Sequence, residues 1–340
     1  ATIIPSVILP SVTAEAPIPT ITITPTQEVP TLVPTPNGGA DLIVLLSGNE
    51  IISMNLDGNR PEPVDAINIE KANLQWINNG LLIYISPTRN CAYVIDVEEK
   101  KTNEVICFRL DEKLEGFRIS SDGKYVAIGV ARTLHIVPFD MEFFESINTR
   151  YTRFLLENIE NGCHYDLPVK DVRWSDDGRR IAALVVDTQQ ANSDQIHLFE
   201  VDLLDCNSRV LIPTDKFPAN RFSFASTTIP SYDWDGKHYF LINDFIRNNG
   251  FGNLYLYNSE NHKEEIINPI NGACCYRDAR WSPDGEYILF LYQNEFESEV
   301  MLYYIPTSAL DTDEMLTPIE IPPGLLKSRD KPQPVLIPAQ

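Results

Sequence analysis

The sequence predicts an all-β protein, a six-bladed β-propeller preceded by an extended Pro/Thr-rich N-terminal segment. A phrase of strand, tight turn and strand recurs at intervals of about 43 to 58 residues from Asp41 onward. Each complete phrase is followed by two more strand-like runs, and four short strands per repeat are typical of one propeller blade. The Pro/Thr-rich composition of residues 1–37 predicts the extended segment.

The recurring phrase consists of an aromatic strand, a turn that ends in glycine, and an apolar strand. Asn-Gly and Asp-Gly pairs favour tight hairpins, because such turns need a residue with positive φ. The five copies cover residues 74–85, 117–128, 172–183, 231–242 and 279–289, with turn glycines Gly80, Gly123, Gly178, Gly236 and Gly285. All four tryptophans precede one of these turns, and we expect Trp76, Trp174, Trp234 and Trp281 to pack between neighbouring sheets.

The first unit is incomplete, which raises the question of how the ring closes. It contains strand-like runs at residues 41–46 and 50–54 and a weak third one around 61–65, and no aromatic strand precedes them. One incomplete and five complete units make six blades, and an open sheet edge would leave backbone groups unpaired. The missing strand comes either from residues 334–337 or from the Pro/Thr segment. We favour the C-terminal run, since closure within one chain has the higher effective concentration.

The chain therefore divides into a Pro/Thr-rich arm (residues 1–37), a propeller (38–325) and a Pro-rich C-terminal tail (326–340). Eight Pro and eight Thr occur in the first 36 positions, and proline blocks helix formation. Two β-branched stretches, residues 2–9 and 18–24, have the composition of strands that add to a sheet edge. The arm residues predicted to contact a partner are Ile3, Ile4, Val7, Ile8, Ile21 and Ile23. The alternative is a solvated spacer.

Charge and cysteine content set the predicted environment. The chain has 27 basic and 48 acidic residues, a net charge of −21, which argues against nucleic acid and anionic lipid as partners. It contains no apolar run long enough for a transmembrane helix. Because the sequence starts at Ala1, we expect a secreted protein whose signal peptide has been removed, rather than a lipid-anchored one.

Six cysteines in a chain with these features predict disulfides. We expect Cys91 to pair with Cys107 and Cys163 with Cys206, each within one repeat, and Cys274 with Cys275 as a vicinal pair. The alternative is six reduced thiols in the core.

Two copies of the phrase, Arg173–Gly178 (RWSDDG) and Arg280–Gly285 (RWSPDG), resemble the repeat of TolB-type, or WD40-like (PD40), β-propellers. The resemblance spans about residues 41–325 and implies the fold. The family includes a periplasmic partner-binding protein and the propeller halves of prolyl-oligopeptidase-like peptidases. A fold hosts many functions, so the resemblance implies no particular activity.

The sequence offers no catalytic signature. A GxSxG elbow, an HExxH helix, a P-loop and a GxGxxG turn are all missing, and we expect no catalytic, cofactor-binding or metal-binding residues. His135 and His197 occupy matching strand positions and predict hydrogen-bonded structural roles, whereas His238 and His262 are expected to be exposed. The DxDG run at Asp233 resembles part of a calcium loop but lacks its Glu, so we interpret it as a plain turn.

Two insertions are long enough to carry binding residues. Residues 139–161 include a helix-like stretch. Residues 217–230 mix aromatic and arginine side chains, which are typical of protein interface anchors. The predicted contact residues there are Phe217, Arg221, Phe222 and Phe224.

The favoured hypothesis is a non-catalytic extracellular propeller that acts through protein–protein contacts. Its arm would dock on a neighbouring subunit, which is another copy of itself or another surface protein, in a surface assembly or filament. One alternative is a monomeric secreted or periplasmic propeller that binds a glycan or peptide. Another is a carboxylate-dependent hydrolase in the central channel.

Overall fold

The computed structural model describes residues 37–65, 67–77, 80–147, 149–187, 193–201, 206–212, 228–312 and 315–339. In these residues six antiparallel sheets follow one another along the chain. The first sheet contains β1 (Ala40–Ser47), β2 (Glu50–Asn55) and β3 (Glu62–Pro63). The second contains β4 (Ala72–Ile77), β5 (Leu81–Ser86), β6 (Cys91–Asp96) and β7 (Lys101–Cys107). The third contains β8 (Leu114–Ile119), β9 (Tyr125–Val130), β10 (Thr133–Pro138) and β11 (Cys163–Tyr165).

The remaining sheets repeat this order. The fourth contains β12 (Val169–Trp174), β13 (Arg180–Asp187), β14 (Ser193–Glu200) and β15 (Ser208–Ile212). The fifth contains β16 (Ser231–Trp234), β17 (Tyr239–Asn243), β18 (Leu254–Asn258) and β19 (Lys263–Ile266). The sixth contains β20 (Tyr276–Trp281), β21 (Tyr287–Tyr292) and β22 (Met301–Pro306), and β23 (Val335–Pro338) returns to the first sheet. The predicted six-bladed propeller is confirmed.

Helical structure is confined to connections. The insertion at residues 139–161 forms two short helices, α1 (Met141–Glu145) and α2 (Arg153–Glu157), between β10 and β11. Asp140 and Thr152 cap them by accepting hydrogen bonds from backbone N–H groups in the first turn. Short 3-10 turns occur at Asn37–Gly39 and Thr307–Asp311.

The ring closes through its own C-terminal end. Strand β23 lies beside β1 in antiparallel register, with Ile43 opposite Leu336 and Val44 opposite Val335. A backbone hydrogen bond of 2.9 Å from the Ala339 N–H to the Gly39 carbonyl extends the pairing. The C-terminal run therefore supplies the innermost strand that the first repeat lacks.

The glycine turns have the geometry that the sequence predicts. The five turn glycines have φ between 67° and 79°. In the fourth blade, the Ser175 hydroxyl donates to the Asp177 carboxylate at 2.5 Å, and that carboxylate accepts the Arg179 N–H at 3.1 Å. The Gly178 N–H then donates to the Ser175 carbonyl at 3.0 Å. The Ser-x-Asp-Gly order is thus a self-contained hairpin cap.

Two of these glycines form a matched pair for mutation. Both Gly236 and Gly285 have positive φ, at 77° and 79°. A Cβ at Gly236 would lie 2.8 Å from the backbone nitrogen of Asp176, whereas a Cβ at Gly285 would meet nothing within 4 Å. We expect Gly285→Ala to cost about 1 kcal/mol in unfolding free energy from its backbone conformation alone. Gly236→Ala should cost about 1 to 3 kcal/mol more, because two neighbouring turns must separate. Equal losses in urea unfolding would contradict this reading.

The hydrophobic core lies between blades. Residues of adjacent sheets share each cluster; for example, Ala182 and Leu184 of the fourth blade pack with Tyr232 and Phe240 of the fifth. Trp234 is 6 % exposed and stacks on Phe240 with ring centroids 5.5 Å apart. The other three tryptophans are half-buried and pack against such clusters, in agreement with the predicted core role.

The sixth blade departs from the prediction. The second of the two strand-like runs that follow the last phrase is residues 318–321, but among the described residues β22 receives only one isolated bridge there, between Leu302 and Ile319. Pro318 has no N–H to donate, and Pro322 and Pro323 follow immediately, so the backbone cannot continue a ladder. The outer edge of this blade is therefore the least completely paired.

The three predicted cysteine pairs are joined as disulfides. Cys91 and Cys107 lie opposite each other on β6 and β7 of one blade, as expected. The expectation that Cys163 and Cys206 share one repeat is wrong. Cys163 lies in β11, the outermost strand of the third blade, because the long insertion delays that strand until just before the fourth repeat. This disulfide therefore links the third blade to the connection between β14 and β15 of the fourth.

Candidate binding site in the central channel

The six innermost strands surround a cavity of about 580 Å³ at one end of the central channel. One polar side chain from each of five blades lines it, at the residue before the tryptophan or its equivalent in the repeated phrase. These residues are Gln75, Arg118, Arg173, Asp233 and Arg280. The equivalent strand of the first blade, β23, contributes Val335 and Leu336. The repeat thus places one functional position per blade around a common axis.

Four of the charged groups form a chain that crosses three blades. Arg118 of β8 contacts Asp171 of β12 through its Nε and Nη2 atoms at 3.2 and 3.1 Å. The second Asp171 oxygen accepts from Arg173 Nη1 at 2.8 Å. Arg173 Nε then donates to Asp233 of β16 at 2.8 Å, and the other Asp233 oxygen accepts the Trp281 N–H at 2.9 Å. Alternating charges therefore join the third blade to the fifth, and a backbone N–H group links the fifth blade to the sixth.

Burial makes this network electrostatically strong. Burial by itself would raise the pKa of Asp171, but the Arg173 and Arg118 guanidiniums hold it at about 2. Burial lowers the pKa of Arg118 to about 10, so its side chain stays charged at neutral pH. The pKa of Arg173 is raised despite its burial, because Asp171 and Asp233 both lie against it.

Arg280 differs from the other two arginines. Arg118 and Arg173 each use all three guanidinium nitrogens in hydrogen bonds. Arg280 uses two, with Nε donating to the Pro334 carbonyl at 3.2 Å and Nη1 to the Tyr232 and Ala279 carbonyls. In the described part of the chain its Nη2 atom has no acceptor and no carboxylate forms an ion pair with it. With Lys237 and with Asp176, Asp235 and Asp284 at the mouth included, the charged groups around the cavity are four positive and five negative.

Aromatic side chains border the same cavity. Half-buried Trp76, Trp174 and Trp281 line it together with the more buried Trp234. The Trp174 indole N–H donates to the Arg118 carbonyl at 2.9 Å, which fixes that ring across the boundary between two blades. Charged groups at the mouth include Asp176, Asp235, Asp284 and Lys237.

A second cavity of about 670 Å³ includes Arg277, Asp278 and Gln333 in its lining. Arg277 and Asp278 lie at the start of β20, whereas Trp281 at the first cavity ends it, so the two cavities occupy opposite ends of the channel. Arg277 pairs with Asp278 at 3.2 Å and donates to the carbonyls of Asn249 and Asp330. The Arg277 charge is therefore paired, and the lining of this cavity also contains Arg329 and Lys331.

The predicted contact residues lie outside the described part of the chain. This applies to Ile3, Ile4, Val7, Ile8, Ile21 and Ile23 of the arm and to Phe217, Arg221, Phe222 and Phe224 of the loop. The channel arginines Arg173 and Arg280 are not among the predicted contact residues, although they stand in the quoted phrases RWSDDG and RWSPDG. Their position in the strand could have revealed them. Each arginine directly precedes a residue that packs in the core. Because successive strand residues point to opposite faces, the arginine points away from that core.

The acidic run at Asp233 forms hydrogen bonds within the chain. Asp233 is committed to Arg173, and Asp235 accepts the backbone N–H groups of Lys237, His238 and Tyr239 at 2.8 to 2.9 Å. It is a turn, as interpreted. Cys91, Glu104 and Cys107 also come together, but the two sulfurs are joined in a disulfide and offer no thiolate to a metal.

The histidines follow the prediction only in part. His238 and His262 are exposed, as expected. His197 has a hydrogen bond of 3.1 Å with Gln195. For His135 the expected hydrogen bond is wrong: the ring is fully buried beside His164, and neither of its nitrogens has a partner among the described residues. In the register of β10 and β11 it lies opposite His164, and the centroids of the two rings are 6.2 Å apart.

This burial predicts acid sensitivity. Desolvation, with a smaller contribution from His164, lowers the pKa of His135 from 6.5 to about 4. The unfolded chain takes up this proton below pH 6.5, but the folded chain resists it, so stability is complete above pH 6.5 and falls toward pH 4. The loss should be about 3 kcal/mol. In urea unfolding between pH 7 and 4, His135→Phe should reduce the loss of stability by about 3 kcal/mol and leave the part due to His197, whose pKa burial also lowers, whereas His238→Phe, on the surface, should change little. An unchanged slope in His135→Phe would contradict the assignment.

The arrangement defines a class of molecule: a six-bladed β-propeller with a charged and aromatic cavity at one channel mouth. No family model and no curated protein sequence matches the chain. Among solved structures, TolB from Acinetobacter baumannii is similar with a TM-score of 0.52 and 15% identity. That match covers 79% of this chain and 62% of the TolB chain. In its fold, this chain is a TolB-like, WD40-like propeller.

Two further solved structures match the chain. A chain of a nidogen–laminin complex is similar with a TM-score of 0.56 and 9% identity, covering 84% of this chain and 95% of that one. Hydrazine synthase from Kuenenia stuttgartiensis has a TM-score of 0.49 and 13% identity, over 76% and 71% of the two chains. At these identities the likeness is one of fold. Among the described residues, no helix has the length and apolar character needed to cross a membrane.

Proposed function

We propose that this protein is a non-catalytic extracellular β-propeller that acts through protein–protein contacts at the mouth of its central channel. The observation that carries the proposal is the 580 Å³ cavity lined by arginines and tryptophans from successive blades. These two residue types are the ones enriched among the anchors of protein interfaces. They are held on innermost strands rather than on loops, so the site is preorganised and binding orders few side chains.

The partner that we propose is a second copy of the chain. Each copy would dock its N-terminal arm on its neighbour in a surface assembly or filament. Because β23 closes the ring, the β-branched arm is not needed for closure. The described chain begins at Asn37, whose carbonyl accepts from the Tyr304 hydroxyl at 2.8 Å, and the Gly38 carbonyl accepts the N–H of Asp284, which lines the cavity. Asn37 and Gly38, which directly follow the arm in the sequence, therefore lie next to the channel mouth.

The non-catalytic part of the proposal is supported by the state of the two carboxylates in the channel wall, Asp171 and Asp233. All four oxygens of Asp171 and Asp233 accept hydrogen bonds from arginine side chains or backbone N–H groups. With its pKa held at about 2, Asp171 cannot serve as a general acid at neutral pH. A hydrolase would need one carboxyl group protonated and one free.

The extracellular location is supported by the disulfides. Three such bonds within the described residues are typical of proteins that fold in an oxidising compartment.

Removing the arm tests the docking proposal. Sedimentation velocity of the full chain at increasing concentration should show assemblies, and a chain lacking residues 1–36 should remain monomeric. The expected shift is at least tenfold in the concentration needed for association, since each contact loses its backbone hydrogen bonds and side-chain register. Assembly that persists unchanged in the shortened chain would overturn arm docking.

One alternative, a monomeric propeller that binds a free peptide or glycan, is favoured by the size of the cavity, which is within the range of small-ligand sites. Limited proteolysis distinguishes arm docking from a monomer whose arm is a spacer. A docked arm should resist cleavage at high protein concentration and lose protection on dilution, whereas a spacer arm should be cleaved equally fast at both.

A further inference from the structure

Three tryptophans are spaced evenly around the channel mouth. Trp76, Trp174 and Trp281 lie near the ends of the innermost strands of the second, fourth and sixth blades. All three line the cavity and are half-buried, so part of each side chain remains exposed. Alternate blades of a six-bladed ring are about 120° apart. The exposed indoles therefore have approximate threefold symmetry about the channel axis.

The intervening blades contribute buried apolar side chains to the same lining. These are Ile119 of the third blade, Trp234 of the fifth and Leu336 of β23 in the first, which are between 1 % and 8 % exposed. Partly exposed aromatic rings thus alternate with buried side chains, and the alternation occurs three times around the mouth.

The charges at this mouth are close to balance. The described groups around the cavity are four positive and five negative, so the site favours no ligand of high charge of either sign. Contact with the exposed indoles is then the main source of binding energy that the mouth offers. A neutral ligand with apolar surface matches this chemistry.

The arm contains a neutral segment with the matching chemistry. Residues 16–26 (APIPTITITPT) have no charged side chain and include Pro17, Pro19 and Pro25. Proline fixes φ near −65°, and the residue before a proline is restricted to extended or polyproline II backbone. A polyproline II helix has three residues per turn, so its successive side chains point about 120° apart. This spacing is the same as that of the three exposed indoles.

We propose that the channel mouth is a receptor for a polyproline II helix, and that its ligand is residues 16–26 of a neighbouring copy. This inference rests on the proposed arm docking and specifies the docking segment and its conformation. The helix enters along the channel axis, and each turn presents one residue to each of Trp76, Trp174 and Trp281. The conformation is favoured before binding, so little backbone entropy is lost on docking.

The length of the arm allows this contact. Asn37 lies next to the mouth of its own ring, and Pro25 and Pro17 precede it by 12 and 20 residues. An extended chain carries these prolines at most about 40 and 70 Å from Asn37. Both can therefore reach the mouth of an adjacent copy.

Binding of an arm peptide to the full chain tests the receptor directly. The probe is a capped peptide of residues 16–26, and its matched control has alanine in place of Pro17, Pro19 and Pro25. The receptor is the full-length P17A/P19A/P25A chain, whose own arm carries the same alanines. Binding is followed through the four indole N–H signals in NMR spectra.

We expect the proline peptide to shift the signals of Trp76, Trp174 and Trp281 together. The alanine peptide should bind at least about tenfold more weakly, because its unbound backbone is more flexible. Alanine also restores three backbone N–H donors, so a peptide that adds as a β-strand would keep or gain affinity from the same change. The comparison thus distinguishes the two docking modes without any change in the receptor.

Variants of the receptor test the role of each ring. Trp76→Leu, Trp174→Leu and Trp281→Leu should each weaken binding of the proline peptide about tenfold, and the corresponding phenylalanine variants should retain part of the affinity. The control is Tyr239→Leu, which removes an aromatic side chain that is 40 % exposed outside the cavity lining. It should change nothing.

The remaining outcomes each decide a point. Equal binding of the two peptides, or a shift at only one tryptophan, would overturn the polyproline II receptor but leave arm docking intact. An oligoproline peptide that binds more tightly than residues 16–26 would overturn the arm as the ligand. Peptide binding to a wild-type chain that sediments as a monomer at every concentration would overturn the neighbouring copy as its source.

Discussion

Arg173→Met should destabilise the propeller by about 3 to 5 kcal/mol, because it leaves two partly buried carboxylates without their shared counter-charge. Arg173 contacts Asp171 and Asp233, each at 2.8 Å, and connects the fourth blade to the fifth. Methionine fills a similar volume, so the loss reports charge rather than packing. Chemical denaturation at pH 7 measures it.

The pH dependence of the stability of Arg173→Met shows whether the loss of stability comes from the missing charge or from altered packing. In the native chain the pKa of Asp171 is held at about 2, below its ordinary 3.8, so its contribution is present above pH 3.8 and is lost as the pH falls through 2. Without Arg173 the Asp171 carboxyl should protonate more readily. The difference in unfolding free energy between the variant and the wild type should therefore become smaller as the pH falls toward 4. Arg109→Met, at an exposed pair with Asp111, should cost less than about 1 kcal/mol. A difference that stays constant with pH would contradict the ionic explanation.

Removing the Cys163–Cys206 disulfide should cost about 4 kcal/mol of unfolding free energy. It closes a loop with a sequence separation of 43, and the chain-entropy relation gives this value for a loop of that length. The bond also ties the third blade to the fourth, so its loss should loosen the boundary that Arg118 and Asp171 span inside the channel. The variant is Cys163→Ser/Cys206→Ser, measured by urea unfolding at pH 7.

The vicinal pair provides the control. Cys274 and Cys275 have a sequence separation of 1, so their disulfide closes no chain loop and supplies almost no entropy of this kind. Cys274→Ala/Cys275→Ala should therefore lose clearly less stability than the Cys163/Cys206 variant. If the two double variants lose the same amount, the loop-closure account of the inter-blade disulfide is wrong.

The architecture was readable from the sequence because each repeat carries its own turn chemistry. Ser175, Asp177 and Gly178 form a complete hairpin cap with local hydrogen bonds, so the phrase alone specifies the turn. The missing innermost strand of the first repeat likewise pointed to a run elsewhere in the chain. The sixth blade was harder, since Pro318 reduces a strand-like pattern to the single bridge at Ile319.

The binding site in the channel could not be predicted from the sequence in the same way. Arg118 and Asp171 are 53 residues apart, and only the ring brings them to 3.1 Å. The sequence analysis assigned contacts to the aromatic loop at residues 217–230, whereas the cavity is built from regular strands. The repeat places Arg173 and Arg280 at equivalent positions, but which of them has a carboxylate partner depends on Asp171 and Asp233 in other strands. Such charge balance is a property of the assembled ring.

The central claim is that one copy's arm binds at another copy's channel mouth. The most direct measurement is photo-crosslinking with benzoylphenylalanine in place of Ile21, in an isotopically heavy full-length chain mixed with unmodified light chain. The account predicts crosslinked peptide pairs that join the heavy arm to light segments at residues 74–77, 118–121, 172–176 or 280–285, which line the cavity. Crosslinks that join heavy segments only to heavy segments of the same chain, or none at the channel mouth, would contradict it.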